Sequence, residues 1–192
     1  MADREEVFRL LEGRNGRLPF ILAIDGRCAS GKTTLAGELQ KRQACNVIHL
    51  DDFYLPFEKR TAEQMAKPGG NIDFERLREE VLLPLRQGKS TSYQPYNCHT
   101  NQFFPARELD VKLATIVEGS YSCHPELKDF YDFCIFMDIT PELQRKRLQD
   151  RNFSMLEDFL KIWIPREEYY FNTCHVREYC DLIIDNGGEE NQ

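Results

Sequence analysis

The stretch Gly26-Arg-Cys-Ala-Ser-Gly31-Lys32-Thr33 fits the spacing G-x-x-x-x-G-K-[ST]. Residue types in this order suit phosphate chemistry. Glycines let the backbone curl so that successive N–H groups converge on an anion, and a helix starting behind them adds partial positive charge. Lys32 is placed to bridge the terminal phosphates of a nucleoside triphosphate, and the Thr33 hydroxyl to hold Mg²⁺. The expected ATP contacts are therefore Gly26, Arg27, Cys28, Ala29, Ser30, Gly31, Lys32, Thr33 and Thr34. No Asn-Lys-x-Asp base-reading motif accompanies the loop, which argues against a guanine-selective switch protein.

Three further groups have the chemistry to direct a phosphate. Asp51, in Leu50-Asp51-Asp52-Phe53-Tyr54, follows an apolar run and is suited to accept the proton of an attacking hydroxyl; the plainer reading is a turn or helix cap. Glu118, in Ile116-Val117-Glu118-Gly119, ends another apolar run, the position of a Mg²⁺ contact or of a solvated strand end, and Asp51 is a second candidate for the ion. Arg145, Lys146, Arg147 and Arg151 cluster further on. Arg147 and Arg151 share a helix face at i, i+4 and are candidates to neutralise charge that develops in transfer, with Arg145 expected on the triphosphate.

These groups need a scaffold. Val7, Leu10 and Leu11 recur at helical spacing, and Gly13 and Gly16 end that pattern. Leu18 to Ile24 is a continuous apolar run, as a buried parallel strand reads, followed by a helix from Gly31 to about Gln43 and a second strand from Asn46 to Leu50. Further strands are expected at Leu113 to Val117, Phe133 to Ile139 and Leu182 to Ile184, with helices at Glu142 to Gln149 and Met155 to Ile162. Strands alternating with helices predict an α/β fold: a three-layer, doubly wound, parallel five-stranded sheet of the P-loop NTPase type, with ligands at the carboxyl ends of its strands. Residues 1–192 are expected to form one domain. Within it, about 53–112 make a substrate-binding insertion and about 142–165 a lid. The insertion carries a helix from about Asp73 to Gln87, with Phe74, Leu77, Val81 and Leu85 on one face, then Tyr93-Gln-Pro-Tyr96 and Phe103-Phe104. The polar tail from Gly187 to Gln192 is expected to fray.

Composition excludes several classes. The chain is 41% hydrophobic and 30% charged, with a formal net charge of −7, so neither nucleic acid nor an anionic membrane is an expected partner. No apolar run approaches ~18 residues, and the expected address is the cytoplasm. Seven cysteines, with no CxxC pair, read as reduced thiols. Cys98-His99, Cys123-His124 and Cys174-His175 do not spell a zinc site, because adjacent side chains rarely chelate one ion. A homo-oligomer stays open.

Taken in order, Ile24-Asp-Gly-Arg-Cys-Ala-Ser-Gly-Lys-Thr-Thr-Leu-Ala36, Asp51-Asp-Phe-Tyr54, Val117-Glu-Gly119 and the Arg145 to Arg151 cluster resemble the uridine kinase-like branch of P-loop kinases. That branch includes uridine-cytidine and nicotinamide riboside kinases. The resemblance implies transfer of the γ-phosphoryl group of ATP to a small-molecule hydroxyl, foremost the 5′-hydroxyl of a nucleoside. It makes Asp51 the catalytic base, puts Tyr54 near the substrate, and turns the arginines into a lid. Asn71-Ile72-Asp73 stands where the family's Asn-Phe-Asp element contacts ribose, and Tyr96 with His99 where a Tyr and a following His handle the base. Nicotinamide riboside, pantothenate or another small alcohol are alternative acceptors. The other class is a non-catalytic ATP-binding regulator.

Overall fold

The structure, a computed structural model, describes residues 2–13, 19–151 and 153–187. Expectations placed on Gly16, Leu18, Asn152 and the tail beyond Gly187 lie outside the described residues. Helix α1 (Ala2–Glu12) precedes β1 (Ile21–Gly26), α2 (Lys32–Arg42) and β2 (Cys45–His49). After the long insertion come β3 (Ala114–Glu118), β4 (Phe133–Asp138), α3 (Pro141–Arg151), α4 (Ile164–Cys174) and β5 (Leu182–Asp185).

The five strands form one all-parallel sheet in the order β2-β3-β1-β4-β5. Side chains alternate across a strand, so a run that is apolar at every position has both faces covered. In β1, Leu22 and Ile24 pack with Val7, Phe8 and Leu11 of α1 and with Leu35 and Leu39 of α2. Ile21 and Ala23 pack on the opposite face with Phe74, Leu77 and Val81 of the insertion and Tyr170 and Phe171 of α4. That is the expected three-layer fold. Each large side chain fully buried in these two cores contributes about 1.5–3 kcal/mol. With β1 between β3 and β4, the phosphate loop leaves the centre of the sheet, flanked by the carboxyl ends of both neighbours.

Strand boundaries fall within a few residues of expectation. The instructive shift is at Leu50, which leaves β2 and opens a 3-10 turn, Leu50–Phe53, so that Asp51 sits on a turn just past the strand. The insertion also contains two short antiparallel ribbons that hydrophobic periodicity does not reveal. Thr91–Tyr93 pairs with Arg107–Leu109, and Tyr96–Asn97 pairs with Gln102–Phe103.

Two prolines shape the helices. Helical residues 74–86 widen into a π segment at Arg78–Leu82, because Pro84 has no N–H to offer the carbonyl of Glu80. The Thr91 hydroxyl donates to that carbonyl instead, at 2.6 Å. Pro165, expected to close the lid region, likewise follows a π segment at Phe159–Trp163, and the chain passes through it into α4.

Gly26 has φ +125°, and a Cβ there would lie 2.6 Å from the backbone nitrogen of Met137 in β4. Gly26→Ala therefore combines backbone strain with a collision that no rotamer relieves. It is expected to cost ~3 kcal/mol or more. Thermal melting measures this; an unchanged midpoint would contradict the close packing of loop and sheet.

Candidate active site

The phosphate loop runs from the end of β1 to the start of α2. Ala29 and Gly31 take left-handed conformations, φ 60° and 98°, which turn the backbone into a cup ahead of the helix N-terminus. Lys32, 7% exposed, donates through Nζ to the carbonyls of Gly26 at 2.6 Å and Arg27 at 2.8 Å. An ammonium has three protons, so one remains for a phosphate oxygen. Thr33 and Thr34 are exposed at the cup's rim. The loop is also fastened from outside. Arg27 donates to Asp138 at 2.8 Å and pairs with Glu168, and Asn186 Nδ2 donates to the Ser30 carbonyl at 2.5 Å. Cys28 is an unreactive thiol, its pKa pushed up to about 12 by burial and by the nearby Glu167 carboxylate.

Glu118 closes the side of the cup. Its carboxylate accepts the Thr33 hydroxyl, at 3.2 and 3.1 Å from the two oxygens, and His49 Nδ1 stands 2.5 Å from Oε1. That bond to Glu118 is the main reason the His49 pKa is raised. Asp51 completes the group. It keeps solvent access, takes the Tyr54 hydroxyl at 2.9 Å, and feels the charges of Glu118 and Lys32. The protein mass around its carboxyl raises its pKa above the ordinary carboxylate value, against the pull of the Tyr54 bond. A hydroxyl and two carboxylates are the hard oxygen ligands Mg²⁺ selects, and one or two of them suffice where phosphates and water supply the rest.

Of the basic cluster, Arg147 reaches the loop, donating from Nη1 to the Ala29 carbonyl at 3.1 Å. One turn earlier on α3, buried Gln144 donates to the Cys28 carbonyl at 3.1 Å. Sequence reasoning did not single out Gln144, although its i, i+3 relation to Arg147 was available. Arg151 shares this face and is exposed beyond it. Arg145 is exposed too, and two residues from Arg147 it lies about 200° around the helix, so the structure does not bring it to the loop.

Of the residues expected to receive the acceptor, Tyr54, Asp73 and the strand that carries Tyr96 lie against the Asp51 turn. Tyr54 bridges to Ile72, and Asp73 N–H donates to the Phe53 carbonyl at 2.8 Å, which ties Asn71-Ile72-Asp73 to the turn. Asp73, 6% exposed, caps its helix by accepting the Arg76 N–H at 3.1 Å through Oδ1. Its Oδ2 is buried without a hydrogen bond, with the Lys59 ammonium at 3.9 Å. The Tyr96–Asn97 strand packs against the Asp51 turn, with Tyr96 buried edge-on to Phe103 at 5.3 Å. The Tyr96 hydroxyl is bonded to Asn101, while His99 is exposed at the hairpin tip. Asn101 carries no sequence signal of its own, because the ribbon beside it is too short to show periodicity. A second unanticipated tie holds the insertion in place: Asp52 accepts both the Tyr93 hydroxyl at 2.8 Å and Arg107 at 2.6 Å.

Beneath the loop lies Asp25, wholly buried. Its oxygens accept the N–H groups of Gly26, Tyr121 and Cys123 and the Tyr170 hydroxyl. Burial nevertheless raises its pKa from 3.8 to about 6. Folded Asp25 thus holds its proton more tightly than the unfolded chain does. Its contribution to stability is full below pH 3.8 and is lost as pH rises through about 6, a change of about 3 kcal/mol. Carbon NMR of the Asp25 carboxyl is expected to show a midpoint near 6. A midpoint in the ordinary carboxylate range would contradict this account of its burial.

A phosphate loop at the centre of this sheet, with carboxylates beside it and an arginine-bearing helix against it, is the arrangement of a P-loop phosphate-binding site on a P-loop kinase fold. The sequence matches no family model. It is similar to uridine kinase-like protein 3 of Arabidopsis thaliana, 26% identical over 191 residues, a match covering 89% of this chain and 40% of that protein. The chain thus spans less than half the length of that relative. A uridine kinase of Geobacillus kaustophilus is 26% identical over 198 residues, covering 91% of this chain and 89% of that one. Among solved structures, a possible uridine kinase from Bacillus stearothermophilus superimposes with a TM-score of 0.67 at 22% identity, covering 96% of this chain and all of that one. A putative fructose transport system kinase from Silicibacter superimposes equally well, with a TM-score of 0.67 at 20% identity over 94% of this chain and 98% of that one. The sequence relatives bear out the resemblance to the uridine kinase-like branch, and the structural neighbours bear out the P-loop kinase fold.

Proposed function

We propose that the chain transfers the γ-phosphoryl group of ATP to a hydroxyl of a small molecule, foremost the 5′-hydroxyl of a nucleoside. The observation that carries this reading is the position of Asp51: solvent-accessible, raised in pKa, and electrostatically coupled to Glu118 and Lys32 at the rim of the loop. A base there accepts the acceptor's proton as the oxygen attacks. Lys32 and Arg147, with Arg151 from the same face of α3, stabilise the charge on the transferring group. Thr33, Glu118 and Asp51 would hold Mg²⁺, which would neutralise phosphate charge.

The insertion, about 53–112, receives the acceptor, and residues 142–165 act as the lid. Asp73 supports a polyhydroxylated acceptor: a buried carboxylate oxygen without a hydrogen bond is costly, and a ligand hydroxyl would satisfy it. Tyr54 and Tyr96 line the approach to Asp51, with His99 at the hairpin tip. The names of the sequence relatives favour a pyrimidine nucleoside, and the composition favours a cytoplasmic enzyme with no nucleic-acid partner. Among the described residues no helix is long and apolar enough to cross a membrane.

A panel of nucleosides, sugars and small alcohols with ATP and Mg²⁺ tests the reading, scored by ADP formation and product mass. Nucleosides are expected to stimulate ADP formation and to gain one phosphate. If another acceptor class alone does so, the nucleoside assignment falls and the kinase reading stands.

A further inference from the structure

Glu167 is a charged side chain inside the protein, 4% exposed, and phosphate transfer as described makes no use of it. A buried carboxylate costs several kcal/mol unless hydrogen bonds replace its water, so its partners carry information. Its Oε2 accepts the backbone N–H of Cys28 at 3.0 Å, and its Oε1 accepts the Ser120 hydroxyl. Cys28 belongs to the loop leaving β1. Ser120 lies two residues beyond Glu118, at the end of β3, the strand paired with β1. One carboxylate on α4 therefore fastens together the two chain segments that carry Lys32 and Thr33 on one side and Glu118 on the other. Its neighbours grip the same region, since Glu168 pairs with Arg27 and the Tyr170 hydroxyl donates to Asp25 at 2.7 Å. Helix α4 itself continues from the lid segment through the π turn at Phe159–Trp163.

We propose that Glu167 is a positioning residue of the nucleotide site: it sets the spacing between the phosphate loop and the Glu118 wall, and it couples that spacing to the docking of the helix in which the lid ends. The proposal rests on the phosphate-transfer reading for the identity of the ligand, Mg·ATP, and not on any acceptor.

Binding of Mg·ATP without acceptor, measured by calorimetry alongside thermal melting, tests it. Glu167→Ala is expected to weaken binding ~10-fold. Glu167→Gln is expected to stay within ~3-fold of wild type, because the amide oxygen accepts the Cys28 N–H and the amide nitrogen donates to Ser120 Oγ. Ser120→Ala cuts one arm only; it is expected to weaken binding ~3-fold and to add little on top of Glu167→Ala. Wild-type affinity in Glu167→Ala, with only a lowered melting temperature, would make Glu167 a fold anchor and overturn the proposal. So would Glu167→Gln binding as weakly as Glu167→Ala, since the charge and not the tie would then matter. If Glu167→Ala does not fold, Ser120→Ala decides alone, and unchanged affinity there is the contrary result. A wild type that binds Mg·ATP but phosphorylates nothing removes the functional reading and leaves this series valid; a wild type that binds no Mg·ATP removes both.

Discussion

Asp51→Asn is expected to lower phosphoryl transfer by ~10²-fold or more while leaving Mg·ATP affinity within a few-fold of wild type. Asparagine keeps the size of the side chain and can still accept the Tyr54 hydroxyl, which lies 2.9 Å from Oδ1, so the 3-10 turn is preserved. What it loses is the capacity to take a proton. The same logic fixes the acid side of the rate profile. The Asp51 pKa is raised above the ordinary carboxylate value by the surrounding protein, so activity falls as pH drops through that raised value, and the Asn variant lacks this limb. Steady-state turnover and calorimetry separate the two effects. Near-normal turnover in Asp51→Asn would remove Asp51 as the base, and a parallel loss of nucleotide affinity would make it chiefly a metal ligand.

Lys32→Ala is expected to damage binding and transfer together, with kcat/KM for ATP down by ~10²-fold or more. Lys32 is buried with its ammonium on the carbonyls of Gly26 and Arg27, so the truncation also leaves those two acceptors without their donor. Lys32→Arg is not a rescue: a planar guanidinium does not fit the point-charge position that these two carbonyls define. Unchanged ATP affinity together with an unchanged rate in Lys32→Ala would refute the role of the loop.

The candidate residues at the strand ends are legible in the sequence because their signals are local. The loop motif announces itself between a buried strand and a helix, and Asp51 and Glu118 each interrupt the end of an apolar run. The register that makes Glu118 face Thr33 and His49 follows from parallel pairing of β3 with β1 and β2. What was not legible is non-local or hidden behind a proline. Glu167 reads as one more charge on an amphipathic segment past Pro165, and its contact with Cys28 spans 139 positions. Asp52 meets Arg107 across 55 positions and Tyr93 across 41, through ribbons too short to show periodicity. Arg145 shows the converse: proximity in sequence suggested membership of the loop-facing group, and helix geometry turns it away from Arg147.

The stability of this arrangement has an electrostatic cost in Asp25, whose buried carboxylate organises the Gly26 and Tyr121–Cys123 turns even though burial disfavours its charge. Buried polar networks of this kind specify one geometry when every member is satisfied. Here the four donors on Asp25 come from β1, the turn after β3, and α4. The three segments that shape the nucleotide site therefore meet at one side chain.

The most direct test of phosphoryl transfer to a hydroxyl at Asp51 follows the γ-phosphate itself. ATP labelled at the γ position is incubated with Mg²⁺, uridine and either the wild type or Asp51→Asn. The account predicts label on the nucleoside 5′-oxygen with the wild type and almost none with the variant. Label released only as inorganic phosphate, or equal transfer by both proteins, would contradict it.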